Sequence, residues 1–345
     1  MAHDKIKATI YDVAARAGVA ISTVSRVLND SHDVSEPTRK RVNVAIEALN
    51  FRPDRTAKSL AHKATRSLCV ALPSFTTPFH TELLKGVRSR LKDLDMDLLL
   101  CDLGSATPHE TLLSFLKRGT VDGLLLAGMQ ITPELAAELK ALFAPVVLVG
   151  HTSDVFDSYV WDDEAGARAA TEYLLALGHR RIGFIKANSQ SPLMDGRLRG
   201  FHGALRSAGI DPDPALEATG VTDKHAGFSE EAGSEAMAAL IKAAPDVTAV
   251  FACSDVQAFG VFLTLREASI RVPRDLSVVG YDDVKVSRYL GLTSVDQKML
   301  DVGAQATDRL IERVMGQRAE PAECVTVMPE LRVRYTTGAP KAATA

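Results

Sequence analysis

Ser22, Thr23, Ser25 and Arg26 set three hydroxyls and a guanidinium mostly outward on one short stretch, groups suited to hydrogen bonding with a partner. A second concentration is basic. Arg52, Arg55, Lys58 and Lys63 fall within FRPDRTAKSLAHK, where Leu60 is the one large apolar residue of the latter part. Catalytic constellations are missing. No GxGxxG follows Ser67 to Pro73, no GxxxxGK[ST] occurs, and the nine histidines form neither HExxH nor another metal spacing. Asp255 with His151 could imitate an acid/base pair, yet no nucleophile motif accompanies them. Recognition is expected rather than catalysis, without cofactor or metal.

The first group needs helices to present it. Thr9 can cap a helix, with Asp12 closing a capping box. Val13, Ala14 and Ala17 supply a small apolar face before Gly18, which turns left-handed at no steric cost. Ile21 to Leu28 resumes helical spacing, with Val24, Val27 and Leu28 inward. Two helices this short need a third. Ser35 to Leu49 provides it, with Ser35 as cap, Pro37 in the first turn, and Val42, Ile46 and Leu49 facing in. Helix, glycine turn and a polar second helix form the helix-turn-helix pattern.

Charge is divided unevenly over the 345 residues. The net charge is -3, but residues 1–65 hold 11 Lys+Arg against 7 Asp+Glu, so a basic head precedes an acidic body. That suits a phosphate-bearing partner touching one end. No secretory signal or membrane-spanning run is read, and the four cysteines (69, 101, 253, 324) form no CxxC pair, so a cytoplasmic protein with reduced thiols is expected.

From Ser67 apolar strands alternate with helices: SLCVALP, DMDLLLCDL, VDGLLLAG and PVVLVG, then RRIGFIKA, Leu216 to Val221, AVFACSD and LSVVGYDD. Strands without polar alternation, each followed by a helix, indicate parallel sheets covered on both faces. The fold class expected is α/β: an N-terminal all-α head plus two tandem α/β units of the kind found in periplasmic binding proteins. Ligand sites belong at the carboxyl ends of the strands, in the cleft between the units. CVTVMPELRVRY closes the chain with strand-like runs, and Asp282–Asp283 reads as a strand-end turn.

The chain resembles the LacI/GalR family of bacterial transcription regulators from about Ile10 to Tyr335. The head carries IYDVAARAGVAISTVSRVLN, VSEPTRKRV and FRPDRTAKSL. The body carries TPF, VDGLLL, DDEAG, LGHRRIGFI, RLRGF, SDVQAFG and VPRDLSVVGYDD in family order. The resemblance implies a homodimer on a palindromic double-stranded DNA operator, most often a repressor, and a small effector between two body subdomains. It implies a helix-turn-helix domain over residues 1–52 and a hinge over 53–65. The N-terminal subdomain would span 66–161 and 293–322, the C-terminal subdomain 162–292 and 323–338, with a tail at 339–345. Crossovers are expected near Asp162, Leu292 and Glu323.

Carried onto this sequence, Ile21, Ser22 and Arg26 read bases, Arg26 with a fork matching guanine and Ile21 with a methyl-contacting side chain. Thr9, Tyr11, Thr23, Ser25 and Asn29 contact phosphates, with core burial an alternative for Ser25, and Leu60 is a minor-groove wedge. Two departures stand out: Ala20 replaces the usual serine cap of the recognition helix, and Asp54 replaces a hinge asparagine. For the effector the resemblance points to Arg197, Asp255, Asp162, Asp163 and Gln297 as polar contacts and to Phe79 and Phe228 as walls. Gly150 stands where the family has an aspartate, beside His151. An acceptor-rich pocket with one strong donor favours a mono- or disaccharide, with a nucleobase as the alternative.

Overall fold

Thr9 starts the first helix as its type suggests. Its hydroxyl accepts from the Asp12 amide at 3.4 Å, while the Asp12 carboxylate accepts from the Thr9 amide at 2.8 Å. The computed structural model describes residues 8–28, 31–51, 66–104, 107–118, 121–142, 145–189 and 191–341, in two units, Met1–Thr65 and Arg66–Ala345.

In the first unit α1 (Ile10–Ala17) ends at Gly18 with φ +64°, and α2 (Ile21–Leu28) and α3 (Glu36–Ala48) follow. Val13, Ala14, Ala17, Val24, Val27, Val42, Ala45 and Phe51 form its core, with Ile46 and Leu49 packed against them. Ser35 does not cap α3 through its side chain. Its hydroxyl donates to Thr38 Oγ1 at 3.0 Å instead, and Pro37 in the first turn removes one amide that a cap would serve. Ala20 contributes its carbonyl to the start of α2 and has no side-chain oxygen to offer.

The second unit holds two six-stranded sheets. The first runs β11-β5-β4-β3-β1-β2, all parallel: β1 (Ser67–Leu72), β2 (Asp97–Asp102), β3 (Gly123–Ala127), β4 (Val146–Val149), β5 (Asp157–Trp161) and β11 (Cys324–Val327). Its helices are α4 (Pro78–Leu91), α5 (Pro108–Arg118) and α6 (Pro133–Leu142), with a later one, Met299–Val314, returning to it. Strand β1 explains why its sequence is apolar throughout. Leu68, Val70 and Leu72 pack with Leu83, Val87 and Val302 on one face, while Cys69 and Ala71 pack with Leu112, Leu116 and Leu139 on the other.

The second sheet runs β12-β10-β9-β8-β6-β7, with only β12 antiparallel: β6 (Ile182–Lys186), β7 (Glu217–Thr219), β8 (Ala249–Ala252), β9 (Ser277–Asp282), β10 (Thr293–Asp296) and β12 (Glu330–Arg332). Its helices are α7 (Asp163–Ala176), α8 (Pro192–Ser207), α9 (Glu230–Ala243), α10 (Asp255–Glu267) and α11 (Lys285–Leu290). The returning helix is α12 (Met299–Val314).

Two expected boundaries move. Thr293–Asp296 pairs with β9, so the second crossover lies at Gln297–Lys298 rather than near Leu292. Cys324–Val327 pairs with β5 in the first sheet, so the third crossover falls at Met328–Pro329 rather than near Glu323. The run CVTVMPELRVRY is thus divided between the sheets at Pro329, which has no amide to continue a ladder. The first and third crossovers are tied where the Asp162 amide donates to the Val327 carbonyl at 3.2 Å. Helices α4 and α12 touch backbone to backbone: a Cβ added to Gly86 would meet the Leu300 carbonyl, and one added to Gly303 would meet that of Leu83. Among the described residues no helix is long and apolar enough to cross a membrane.

Candidate DNA-recognition face and effector cleft

The head presents most of the residues expected to read DNA outward. Ile21 is 41% exposed and Tyr11 67%; Ser22 and Arg26 are exposed one turn apart on the same face of α2. Thr23 and Ser25 are half-buried, and Thr9 is exposed while also capping α1. Asn29, Leu60 and Asp54, with the rest of the hinge, lie outside the described residues.

In the body a cleft of about 410 Å³ opens between the two α/β halves. Its first wall comes from Phe79 at the start of α4, Gly150 and His151 after β4, and Val160 and Trp161 in β5. The opposite wall comes from Asp162 and Asp163 at the start of α7 and from Leu193, Gly196 and Arg197 in α8, and Gln297 joins from the second crossover. Five of the seven expected effector residues therefore meet in one cavity: Phe79, Asp162, Asp163, Arg197 and Gln297.

Arg197 is the electrostatic centre. It is 3% exposed, its Nε donates to Asp163 Oδ1 at 2.9 Å, and it also donates to the Cys253 carbonyl. Asp282 Oδ1 lies 3.8 Å from it, and its Cζ stands 3.7 Å over the Tyr281 ring. Burial opposes its charge, but the neighbouring Asp163 and Asp282 hold it more firmly protonated than usual. Helix α8 buries this face, and Arg197 with it. Asp162 uses Oδ1 to cap α7, accepting from the Ala165 amide at 2.8 Å. Glu164 and Arg199, 3.0 Å apart, pair at the rim.

Two expectations fail. Asp255 is fully buried and does not line the cavity. Its oxygens accept from the Val284 amide at 2.9 Å, the Ser287 hydroxyl at 2.6 Å and the Ser294 hydroxyl, so it fastens α11 to β10. Burial, reinforced by nearby Asp282, pushes its carboxyl well above the ordinary range. Phe228 packs half-buried on the core of the second sheet and is not a wall of this cavity.

Asp282 is buried and does not line the cavity either, but it contacts two residues that do. It accepts from Gln297 Nε2 at 2.7 Å and faces Arg197, and burial raises its carboxyl to about 7 against the pull of both. Asp282 and Asp283 have φ of +113° and +49°, strained values for non-glycine residues that cluster at functional sites. Asp283 turns the other way, to Arg334. The turn expected here exists, and it brings one carboxylate to Arg197 and Gln297, which line the cleft.

Trp161 is the other residue that sequence reasoning passed over. It is the chain's only tryptophan, immediately before Asp162–Asp163. Its ring meets Phe79 edge-on at 6.1 Å, and its Nε1 donates to the Gln297 carbonyl at 2.7 Å. His151 is half-buried in the wall rather than solvated, and burial lowers its pKa.

Comparison with known proteins gives a consistent picture. The profile of bacterial regulatory proteins of the lacI family matches residues 9–54, and the periplasmic binding protein-like domain matches residues 171–337. The transcriptional regulator CelR of Thermobifida fusca is 35% identical over 328 residues, covering 92% of this chain and 95% of CelR. The transcriptional repressor PurR of Haemophilus influenzae is 31% identical over 338 residues, covering 95% and 98%. Among solved structures, a CelR–cellobiose complex aligns at a TM-score of 0.69 with 32% identity, over 96% of this chain and 100% of that one. The lac repressor dimer bound to operator and the anti-inducer ONPF aligns at 0.79 with 29% identity over the same shares.

Proposed function

The chain belongs to the LacI family of bacterial regulatory proteins, and from that premise we propose that its cleft takes a neutral mono- or disaccharide. As a member it is a sequence-specific DNA-binding regulator under the control of a small effector, and it is not an enzyme.

The observation that carries the ligand class is the commitment of Arg197 to Asp163 and Asp282. With its charge already answered, the buried wall offers hydrogen-bond acceptors and, among the described residues, no unpaired cation, so a phosphorylated or carboxylated ligand would meet net repulsion. Phe79 and Trp161 add apolar rings suited to the C–H face of a sugar. A volume of about 410 Å³ lies toward the small end of the roughly 300–1,000 Å³ typical of ligand pockets. The cellobiose in the CelR complex supports the same class.

In this reading the protein works as a homodimer, two heads reading the half-sites of a palindrome. Ser22, Arg26 and Ile21 meet base edges, while Thr9, Tyr11, Thr23 and Ser25 hold phosphates. Effector closes the cleft across three crossovers, and operator affinity changes to the extent that the effector prefers one cleft state.

The test is operator binding at fixed salt with a palindromic duplex from upstream of the protein's own gene, titrated with cellobiose, glucose, ribose and hypoxanthine. A several-fold change with a sugar, abolished by Arg197→Ala, supports the reading. A response to hypoxanthine alone replaces the saccharide with a nucleobase.

A further inference from the structure

The Trp161 indole does two things at once. One side lines the cleft, and the N–H is spent inside the protein on the Gln297 carbonyl at 2.7 Å. A ligand therefore meets the ring and not the donor. Trp161 ends β5 beside the first crossover, whereas Gln297 begins the second, so this hydrogen bond spans two of the three connections between the halves.

Gln297 is 1% exposed and engaged twice. Its carbonyl takes the indole, its side-chain amide holds Asp282, and the next residue, Lys298, adopts φ +56° before α12 begins. Helix α12 lies against α4 at Gly86 and Gly303 with no room for a side chain, and α4 starts at the residues that carry Phe79. Phe79 then returns to the Trp161 ring across the cleft wall. The contacts close a loop from wall to crossover to helix pair and back to the wall.

We propose that Trp161 is the positioning residue that couples occupancy of the cleft to movement of the second crossover, through its indole N–H. The proposal rests on the cleft being the effector site, but not on which ligand fills it. A phenylalanine would keep a ring face for the ligand and lose the tie, so binding and response would separate.

The experiment compares the full-length parent with Trp161→Phe and Trp161→Ala. Cellobiose affinity is read by calorimetry and operator affinity by anisotropy, with and without cellobiose. Trp161→Phe, read at saturating cellobiose so that any weaker binding is offset, is expected to show a coupling of roughly 5–150-fold shrunk to under about twofold. Trp161→Ala should lose both binding and coupling. A Trp161→Phe protein with the parental response overturns the proposal, and so does one that fails to bind. Two arms need no ligand. The parent's single indole N–H resonance should exchange at least about tenfold more slowly than free indole. Trp161→Phe should also alter the operator affinity of the unliganded protein. If cellobiose leaves the parent unmoved, the saccharide reading falls, whereas a fast-exchanging indole or an unchanged unliganded affinity removes the tie itself.

Discussion

Arg197 Nε lies 2.9 Å from Asp163 Oδ1, and the pair is almost wholly sealed from solvent. It joins α8 to the first turn of α7 at the floor of the cleft. A buried pair of this kind contributes little net stability relative to an apolar substitute, but breaking it is costly.

Arg197→Ala should therefore destabilise the body as well as abolish the effector response. It would leave Asp163 and Asp282 buried without their cation, a loss of about 3–5 kcal/mol near neutral pH. Urea unfolding should show a lowered midpoint, partly restored in Arg197→Ala/Asp163→Asn. An unchanged midpoint would mean that the carboxylates find water.

Asp282 gives stability an unusual pH dependence. Burial raises its carboxyl to about 7 in the folded state, against about 3.9 for an unperturbed aspartate. Between those values the folded protein holds a proton that the unfolded chain has released. Its contribution to stability is thus present below about pH 4, is lost as pH rises toward 7, and changes little above that. Urea midpoints between pH 4.5 and 8 should show this falling component. Asp282→Asn, which cannot titrate, should remove it.

His80 acts in the opposite sense on the acid side. Burial lowers its pKa to about 4, so it stays neutral while the unfolded chain's histidine protonates below about 6.5. Stability should decline as pH falls from about 6.5 to 4, and His80→Gln should flatten that limb. An identical acid limb in the variant would contradict the buried, neutral state.

Asp255→Ala tests whether Asp255 is structural or a contact of the effector. It strands three buried donors, and with about 1–3 kcal/mol at stake for each unsatisfied group the body should lose stability measurably. Effector affinity, read by calorimetry on protein that remains folded, should stay within a few-fold of the parent. A complete loss of binding would return Asp255 to the cleft.

Ala20→Ser supplies the oxygen missing at the start of α2. Exchange of the Thr23 amide, which a cap at position 20 would engage, should slow by the equivalent of about 0.5–2 kcal/mol. No slowing would indicate that the backbone there cannot turn the hydroxyl inward.

The head was legible in its order of residues because helical interactions are local. Thr9–Asp12, Gly18 and the inward stripe of α2 all act within a few positions of one another. The tandem sheets were legible for a related reason, since strands buried on both faces must be apolar throughout. Strands β5 and β10 escaped that rule. Asp157–Trp161 and Thr293–Asp296 are short, and each sits beside a partner from later in the chain, β11 for β5 and β12 for β10.

The sequence by itself determined that this protein has a helical reading head, two parallel α/β layers and a set of polar residues for a cleft. Local spacing and apolar runs carry that information. Only the tertiary structure decided which aspartate contacts the residues that line the cleft. Asp255 and Asp282 both stand where β8 and β9 give way to the following segments, and the choice came from the packing that surrounds them. Three donors near α11 enclosed the first, while the second packs behind the cavity wall against Arg197 and Gln297. The same packing gave Trp161 its two roles, because its partner Gln297 lies 136 positions away, within reach only once both sheets have formed.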